Sequence, residues 1–201
     1  MKESVVLVGC FVAGIVLGVG DLVPQWLVHP KMALYTLYGL LILVGIGIGC
    51  DTGALQAIVR LNIKTAIMPL AVAAGSLAGA GLAALFLLGI SFREGAAVGA
   101  GFGYYSLSSV LISQIHGEQL GTVALLSNII REVLTILLAP FLAQWCGFLG
   151  PIASGGATTM DTTLPVIHKA TTKHYAMIAV INGIVLSLLV PVLVPAILYA
   201  E

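Results

Sequence analysis

Long apolar stretches separated by short polar stretches dominate this sequence and predict membrane-spanning helices. A helix needs about 20 apolar residues to cross the hydrocarbon core of a bilayer. By that criterion the sequence predicts spans at residues 4–20, 32–50, 63–90, 95–113, 120–146 and 175–200. A signal peptide is the alternative for the first stretch. That stretch lacks a strongly basic start and further spans follow it, so we expect a retained helix.

Residues 150–168 fit neither an ordinary span nor an ordinary loop. This stretch contains two prolines, a glycine pair, four threonines and Asp161, but no run of charges. Irregular backbone at membrane depth survives where it is buried in protein or lines a wet cavity, and broken helices form solute sites in secondary transporters. We therefore predict a broken helix whose midpoint is deep in the protein, with Asp161 and the threonines lining a polar cavity that faces residues 120–146. A surface loop is the alternative.

The number of crossings depends on the same stretch. Seven crossings result if residues 150–168 cross the bilayer, and six result if they re-enter from one side. Seven is favoured because cytoplasmic loops carry an excess of Lys and Arg. With seven crossings and a cytoplasmic amino terminus, the basic residues in the loops and at the span ends are divided five to two: Lys2, Arg60, Lys64, Lys169 and Lys173 against Lys31 and Arg93. We therefore predict an all-α polytopic membrane protein with a single transmembrane domain.

The composition agrees with a membrane protein and excludes several other classes. The chain is 60% hydrophobic and 8% charged, with a mean hydropathy of +1.14. Soluble domains carry about 25% charged residues, so a water-soluble domain of useful size is excluded. The zero net charge and the lack of a basic patch argue against a nucleic-acid partner. The three cysteines have no metal-ligand spacing, and we expect neither a metal nor a cofactor.

Two adjacent ionisable residues, Arg131 and Glu132, lie near the middle of the apolar stretch 120–146. Each such group costs roughly 2.5–3.5 kcal/mol at mid-bilayer depth, and is therefore retained where it faces a polar interior, a partner or a solute. Asn128 and Thr135 share a helix face with Glu132, whereas Arg131 points about 100° away. We predict a functional role for Glu132, Arg131 and Asn128. A structural ion pair to a neighbouring helix is the alternative.

Further candidate ligands are polar side chains in three of the predicted spans: Tyr105, Ser106 and Ser108 in one, Thr159, Asp161 and Thr162 in the broken helix, and Asn182 in the last. A carboxylate beside hydroxyls and free carbonyls supplies the oxygen atoms that a hard cation or an ammonium group prefers. Hydroxyls on a glycine-rich span either bind a solute or satisfy the backbone, and both readings stay open. A single asparagine in a membrane helix commonly forms a hydrogen bond to another helix instead of binding a ligand.

Three motifs resemble those of one known family. The stretches GFGYYSLSS (101–109), NIIREVLTILLAP (128–140) and GATTMDTTLPV (156–166) occur in the order found in the LysO family of bacterial lysine exporters. The resemblance spans nearly the whole chain and implies export of L-lysine across the inner membrane. It also implies that Glu132 and Asp161 are anionic partners for the ammonium groups. Arg131, or the positive end of a half-helix, would then meet the carboxylate.

The resemblance carries further implications for architecture and mechanism. It implies an inverted-repeat transporter in which residues 150–168 and 4–20 are the crossed helices, and antiport of lysine against protons or Na+. Single-chain members have additional membrane-spanning sequence before the matched part. We therefore expect a small separate membrane subunit, with a second copy of this chain as the alternative. A passive channel is a rival reading. An intramembrane aspartyl protease using Asp21 and Asp161 is disfavoured, since Asp21 lies at the end of its span.

Overall fold

A computed structural model of the chain describes residues 63–87 and 89–199. From the preceding part it describes only residues 16, 17, 23, 32, 35, 38, 39, 42, 43, 46 and 50. The chain divides into two units, Met1–Leu43 and Val44–Glu201. The described positions of the first unit are helical except residue 23. Most of the predicted spans 4–20 and 32–50 and the protease candidate Asp21 lie outside the described residues. All further description concerns the second unit.

The described part of the second unit is helical and contains no strand. Its seven α-helices and one 3-10 helix are α1 (Ile63–Ala84), α2 (Phe92–Gly99), α3 (Tyr105–His116), α4 (Glu118–Trp145), α5 (Leu149–Gly155), the 3-10 helix (Gly156–Met160), α6 (Leu164–Ala170) and α7 (Lys173–Tyr199). Among the described residues, three helical stretches are long and apolar enough to cross a membrane: Ile67–Ala84, Glu118–Trp145 and His174–Tyr199. The predicted all-helical membrane protein is confirmed at this level.

The prediction of one continuous span at residues 95–113 is wrong. Helix α2 ends at Gly99 and α3 starts at Tyr105, and residues 100–104 between them form what we call the first break. Phe102 has a φ of 50° and Gly103 a φ of 96°. A right-handed helix cannot pass through two consecutive residues with positive φ, and glycine is the residue that adopts this conformation readily. Helix α1 likewise ends at Ala84, before the predicted end of the span 63–90.

The broken helix predicted at residues 150–168 is present. Helix α5 is followed by the 3-10 helix and then, after a turn, by α6, and residues 156–163 form what we call the second break. Gly156 has φ 62° and ψ −123°, which only glycine adopts without strain. Residues 156–159 are all buried, so the alternative of a surface loop is wrong.

Helix α7 continues through Pro191 and Pro195, and its last turn is held by a distant arginine. Arg93 donates from Nε to the carbonyl oxygen of Ile197 at 2.5 Å and from Nη2 to that of Leu198 at 2.6 Å. The last carbonyls of a helix have no partner within it, and a cation there also stabilises the helix dipole. Arg93, which the sequence placed in a loop, therefore caps α7.

The start of α2 carries a reciprocal pair of hydrogen bonds that depends on pH. The Ser91 backbone N–H donates to Glu94 Oε2 at 2.6 Å, and the Glu94 N–H donates to Ser91 Oγ at 3.2 Å. His116 Nε2 lies 2.7 Å from Glu94 Oε1. The hydrogen bonds from Ser91, with a smaller contribution from His116, lower the pKa of Glu94 from its ordinary value of 4.5.

We expect Glu94→Gln to lower thermal stability at neutral pH. A carboxyl group with a lowered pKa in the folded state contributes stability above its unfolded pKa, and this contribution is lost as pH falls through the folded pKa. The stability difference between the variant and the wild type should therefore disappear at acidic pH. Melting curves in detergent across this range measure it, and a difference that is constant with pH would contradict the assignment.

Close packing of α1 against α2 depends on glycine. A methyl group added at Gly99 would lie 2.5 Å from the carbonyl oxygen of Ser76 and 2.6 Å from Cβ of Ala80. The backbone of α1 can move away from such a methyl group only by distorting the helix. We therefore expect Gly99→Ala to destabilise the fold by about 1–3 kcal/mol, the usual cost of overpacking. The matched control is Gly79→Ala on the facing helix, where an added methyl group meets nothing within 4 Å. Equal melting temperatures for the two variants would contradict the prediction.

Candidate functional site

The two breaks meet each other through their backbones. The Ala157 N–H donates to the carbonyl oxygen of Phe102 at 2.8 Å. A methyl group added at Gly103 would lie 3.2 Å from the carbonyl oxygen of Gly155, and one added at Gly156 would overlap that of Phe102. We call this contact between residues 100–104 and 156–163 the crossing. Backbone groups freed by two interrupted helices are thus brought to one place.

Asn128 on α4 holds the first break in position. Its Oδ1 accepts a hydrogen bond from the Gly103 N–H at 2.7 Å. Its Nδ2 lies 3.3 Å from the carbonyl oxygen of Val98 and 2.8 Å from that of Ala124. The side chain is 4% exposed. Both ends of this amide are therefore occupied by backbone groups, so Asn128 positions the first break.

Arg131, three residues further along α4, holds the end of α5. Its Nε donates to the carbonyl oxygen of Ser154 at 2.8 Å and its Nη2 to that of Ala153 at 3.0 Å. Its Nη1 donates to Ser76 Oγ on α1 at 3.0 Å. The planar guanidinium thus satisfies carbonyls that the interrupted helix leaves open. All three acceptors are neutral. Within the described part of the chain Arg131 has no acidic partner, so the alternative of an ion pair is not supported.

Glu132 is buried on the face of α4 that contacts the first break and helix α5. It is 8% exposed, and the described residues offer its carboxylate no hydrogen bond or ion pair. One turn earlier, Asn128 binds the first break. One turn later, Thr135 Oγ1 lies 2.7 Å from Ser154 Oγ on α5. The predicted shared face is confirmed, because these three side chains on α4 are all buried.

The threonines of the second break and Asn182 tie the break to α7. Thr159 Oγ1 lies 2.6 Å from the carbonyl oxygen of Ala179 and 2.7 Å from that of Gly156. Asn182 Nδ2 donates to Gly156 O at 2.9 Å. Its Oδ1 is fully buried and has no hydrogen-bond partner among the described residues. Asn182 therefore forms a hydrogen bond from α7 to the second break, which is the structural role that the sequence left open for it. Its Oδ1 remains available as an acceptor within the described part of the chain.

Asp161 does not lie where the sequence predicted. Its side chain is exposed, and its Oδ1 accepts from the Thr162 N–H at 2.5 Å. With Tyr104 and Ser187 it lines a small pocket of about 20 Å³. The predicted cavity facing residues 120–146 is therefore wrong, since this pocket involves the start of α3 and the middle of α7. The 3-10 helix ends at Met160, and Asp161 follows it with non-helical dihedrals (φ −136°, ψ −87°), so helical periodicity no longer aligns its side chain with the buried Thr158.

The remaining predicted hydroxyls divide into two groups. Tyr105, Ser106 and Thr162 are exposed, and Thr162 Oγ1 lies 3.2 Å from Asp161 Oδ1. Ser108 is fully buried, and its hydroxyl has no hydrogen-bond partner among the described residues. A methyl group added at Gly101 in the first break would lie 2.6 Å from Ser108 Oγ. Ser108 therefore packs against the first break, whereas Tyr105 and Ser106 are exposed.

A larger cavity of about 500 Å³ lies between α1, α2 and α4. Its volume falls within the range of about 300–1,000 Å³ that is usual for small-molecule sites. Its polar wall consists of Arg131, Asn128, Ser127 and Ser76, and most of the rest is glycine, alanine and valine. Ser76 and Ser127 were not among the predicted site residues. Ser127 lies four residues before Arg131 and so shares its helix face, but no feature of the sequence indicated Ser76.

Metal binding is not indicated by the described residues, which contain no group of three or more His, Cys, Asp or Glu side chains able to hold an ion.

Comparison with known proteins identifies the family. The profile of the family described as "Lysine exporter LysO" matches residues 8–198, nearly the whole chain. The chain belongs to the LysO family. The lysine exporter LysO of Escherichia coli strain K12 is 36% identical over 193 residues, which are 96% of this chain and 63% of that relative. This chain therefore spans less than two thirds of the E. coli LysO protein.

A second LysO relative has nearly the same length as this chain. It is a protein of Haemophilus influenzae whose name proposes lysine export, and it is 35% identical over 188 residues, covering 93% of this chain and 94% of the relative. No solved structure matches the chain. The membership confirms the resemblance noted from the three motifs, and the description of the family names a lysine exporter.

Proposed function

We propose that this LysO-family chain exports L-lysine across the bacterial inner membrane as a secondary transporter, in exchange for protons. The observation that carries the mechanism is Glu132. It is a buried carboxylate without a partner among the described residues, on the helix face that holds both broken helices. Ionisable groups in membrane segments are costly, and those without a structural partner belong to ion and proton pathways. The names of the two relatives supply the substrate.

The cavity beside Arg131 suits the substrate's carboxylate. Three of the five guanidinium N–H donors are engaged by Ser76, Ala153 and Ser154, which leaves two for a ligand. The apolar wall formed by glycines and alanines of α1 suits the methylene chain of lysine. The Arg131 guanidinium thus links α5 to the substrate, because it donates hydrogen bonds both to the carbonyls at the end of α5 and to the carboxylate of lysine.

Glu132 is the coupling acid in this proposal. A carboxylate inside the protein binds either a proton or a cationic group of the substrate, but not both at once. Because the two compete for one site, transport of lysine in one direction is coupled to transport of a proton in the other. Lysine leaves the cell when the site faces outward, and a proton takes its place on return. Na+ is the alternative coupling ion.

The proposal includes an architecture of seven spans related by an inverted repeat, in which the crossing moves against the rest of the bundle. It also includes a second membrane component, either a small separate subunit or another copy of this chain. Co-purification from gently solubilised membranes tests that component. An active chain that remains a monomer without other subunits would contradict it.

Reconstitution in liposomes tests the substrate and the mechanism together. Liposomes loaded with lysine should take up labelled lysine by counterflow, and an imposed pH gradient should drive accumulation. A passive channel, the rival reading, would equilibrate lysine but never accumulate it. Movement of a neutral solute without any lysine movement would contradict the substrate assignment.

A further inference from the structure

The small pocket beside Asp161 contains oxygen atoms from three separate elements. Asp161 lies at the end of the 3-10 helix, Tyr104 at the first break and Ser187 in the middle of α7. The phenol oxygen of Tyr104 is close enough to the Asp161 carboxylate for the two to interact electrostatically, yet they form no direct hydrogen bond. The volume of about 20 Å³ admits one group of the size of a water molecule.

Ser187 is an independent sign that this pocket binds something polar. Ser187 is 1% exposed, and among the described residues its hydroxyl has one hydrogen-bond partner, the sulfur of Met160 at 3.7 Å. A thioether is a weak acceptor, so this bond does not satisfy a buried hydroxyl. Its oxygen therefore retains the capacity to accept a hydrogen bond from a group in the pocket.

We propose that Tyr104, Asp161 and Ser187 form the subsite for the side-chain ammonium group of the substrate. The inference rests on the proposed function and adds three residues to it, Tyr104, Asp161 and Ser187. An ammonium group has three N–H donors, and Tyr104, Asp161 and Ser187 offer three oxygen-bearing side chains, one of them negatively charged. The hydroxyl of Thr158, which also lines the pocket, already donates to the carbonyl oxygen of Gly155 at 2.9 Å. Charge-assisted hydrogen bonds of this kind are about twice as strong as neutral ones.

The position of the pocket also fits a terminal group. The carboxylate of Asp161 is exposed, which gives the pocket an open side, whereas Ser187 closes its inner end. A compact, charged chain end can enter such a recess while the rest of the solute stays outside. An alkali ion is less suited, because two of the six lining residues, Ala157 and Met160, contribute no oxygen-bearing side chain.

Discrimination between L-lysine and L-norleucine tests the subsite, because norleucine keeps the chain but lacks the terminal amine. Tyr104→Phe and Ser187→Ala each remove one hydroxyl and little volume, and Asp161→Asn removes the charge. In competition counterflow, we expect each variant to reduce the preference for lysine over norleucine about tenfold, the scale of one lost hydrogen bond to a charged group. Tyr199→Phe and Ser109→Ala make the same chemical changes outside the pocket and should keep the preference.

A second readout does not depend on transport. Lysine should raise the melting temperature of the detergent-solubilised wild type, since a ligand stabilises the state that it binds. Tyr104→Phe and Ser187→Ala should need about tenfold more lysine for the same rise. The subsite would be overturned if the variants competed less well for lysine and for norleucine to the same degree. It would also be overturned if their preference for lysine over norleucine were unchanged.

The alkali-ion alternative and the proposed function have distinguishable outcomes. One outcome is that replacing Na+ by choline changes the rate of lysine counterflow differently in the variants and in the wild type, while the variants keep their preference for lysine over norleucine. The pocket then binds an alkali ion, and the ammonium assignment is wrong. If the wild type neither transports lysine nor is stabilised by it, the proposed function fails, and the subsite fails with it.

Discussion

Replacement of Glu132 by glutamine should abolish proton-coupled lysine transport and leave a folded, membrane-inserted protein. Glutamine keeps the volume of the side chain but cannot exchange a proton. Glu132 has no hydrogen bond or ion pair among the described residues, so the substitution breaks no structural contact there. We expect accumulation driven by a pH gradient to fall by at least about a hundredfold, the scale of losing a positioned proton-transfer group. Lysine accumulation in liposomes measures it.

The control for Glu132→Gln is Glu118→Gln, which changes an exposed glutamate in the first turn of the same helix. It should retain transport and its pH dependence. Full activity of Glu132→Gln with unchanged pH dependence would exclude Glu132 from coupling. Asp161 would then become the candidate for that role.

Gly156→Ala should prevent the two broken helices from meeting. Gly156 has a φ of 62°, and an added methyl group would overlap the carbonyl oxygen of Phe102 and lie 3.0 Å from Nη2 of Arg131. Backbone strain costs about 1–3 kcal/mol and overpacking costs a similar amount. We therefore expect a loss of about 2–6 kcal/mol in the free energy of unfolding, seen as a poor yield of monodisperse protein and a lower melting temperature.

Gly147→Ala separates these two costs. Gly147 also has a positive φ, 74°, but a methyl group added there meets nothing within 4 Å. Its replacement should therefore cost only about 1–2 kcal/mol, from the backbone conformation. If the two variants were equally stable, the contact between the breaks would not depend on the small size of Gly156.

Asn128 and Arg131 show that a polar residue in a membrane helix also satisfies the backbone of neighbouring helices. Both were predicted as site residues because of the cost of burying polar groups in an apolar span. The structure shows that each is hydrogen-bonded to backbone that an interrupted helix leaves unsatisfied. Broken helices create such unpaired groups, and α4 supplies the side chains that satisfy them.

The sequence alone determined the class of protein, the apolar helices and the second break. Hydropathy averaged over about 20 residues identifies membrane helices, because the free energy of placing a segment in the bilayer depends mainly on the residues of that segment. The break at residues 156–163 was predictable for a similar reason, since glycine pairs, proline and threonines interrupt a helix through local backbone preferences. The shared face of Asn128, Glu132 and Thr135 followed from helical periodicity alone.

Only the tertiary structure decided which polar groups lie together. The first break at residues 100–104 was missed, because glycines in an apolar stretch are equally compatible with close helix packing. The pairing of the two breaks, the capping of α5 by Arg131 and the position of Asp161 beside Tyr104 and Ser187 join residues far apart in the chain. Such contacts depend on how the helices are arranged, and a local pattern of hydrophobic and polar residues does not contain that information.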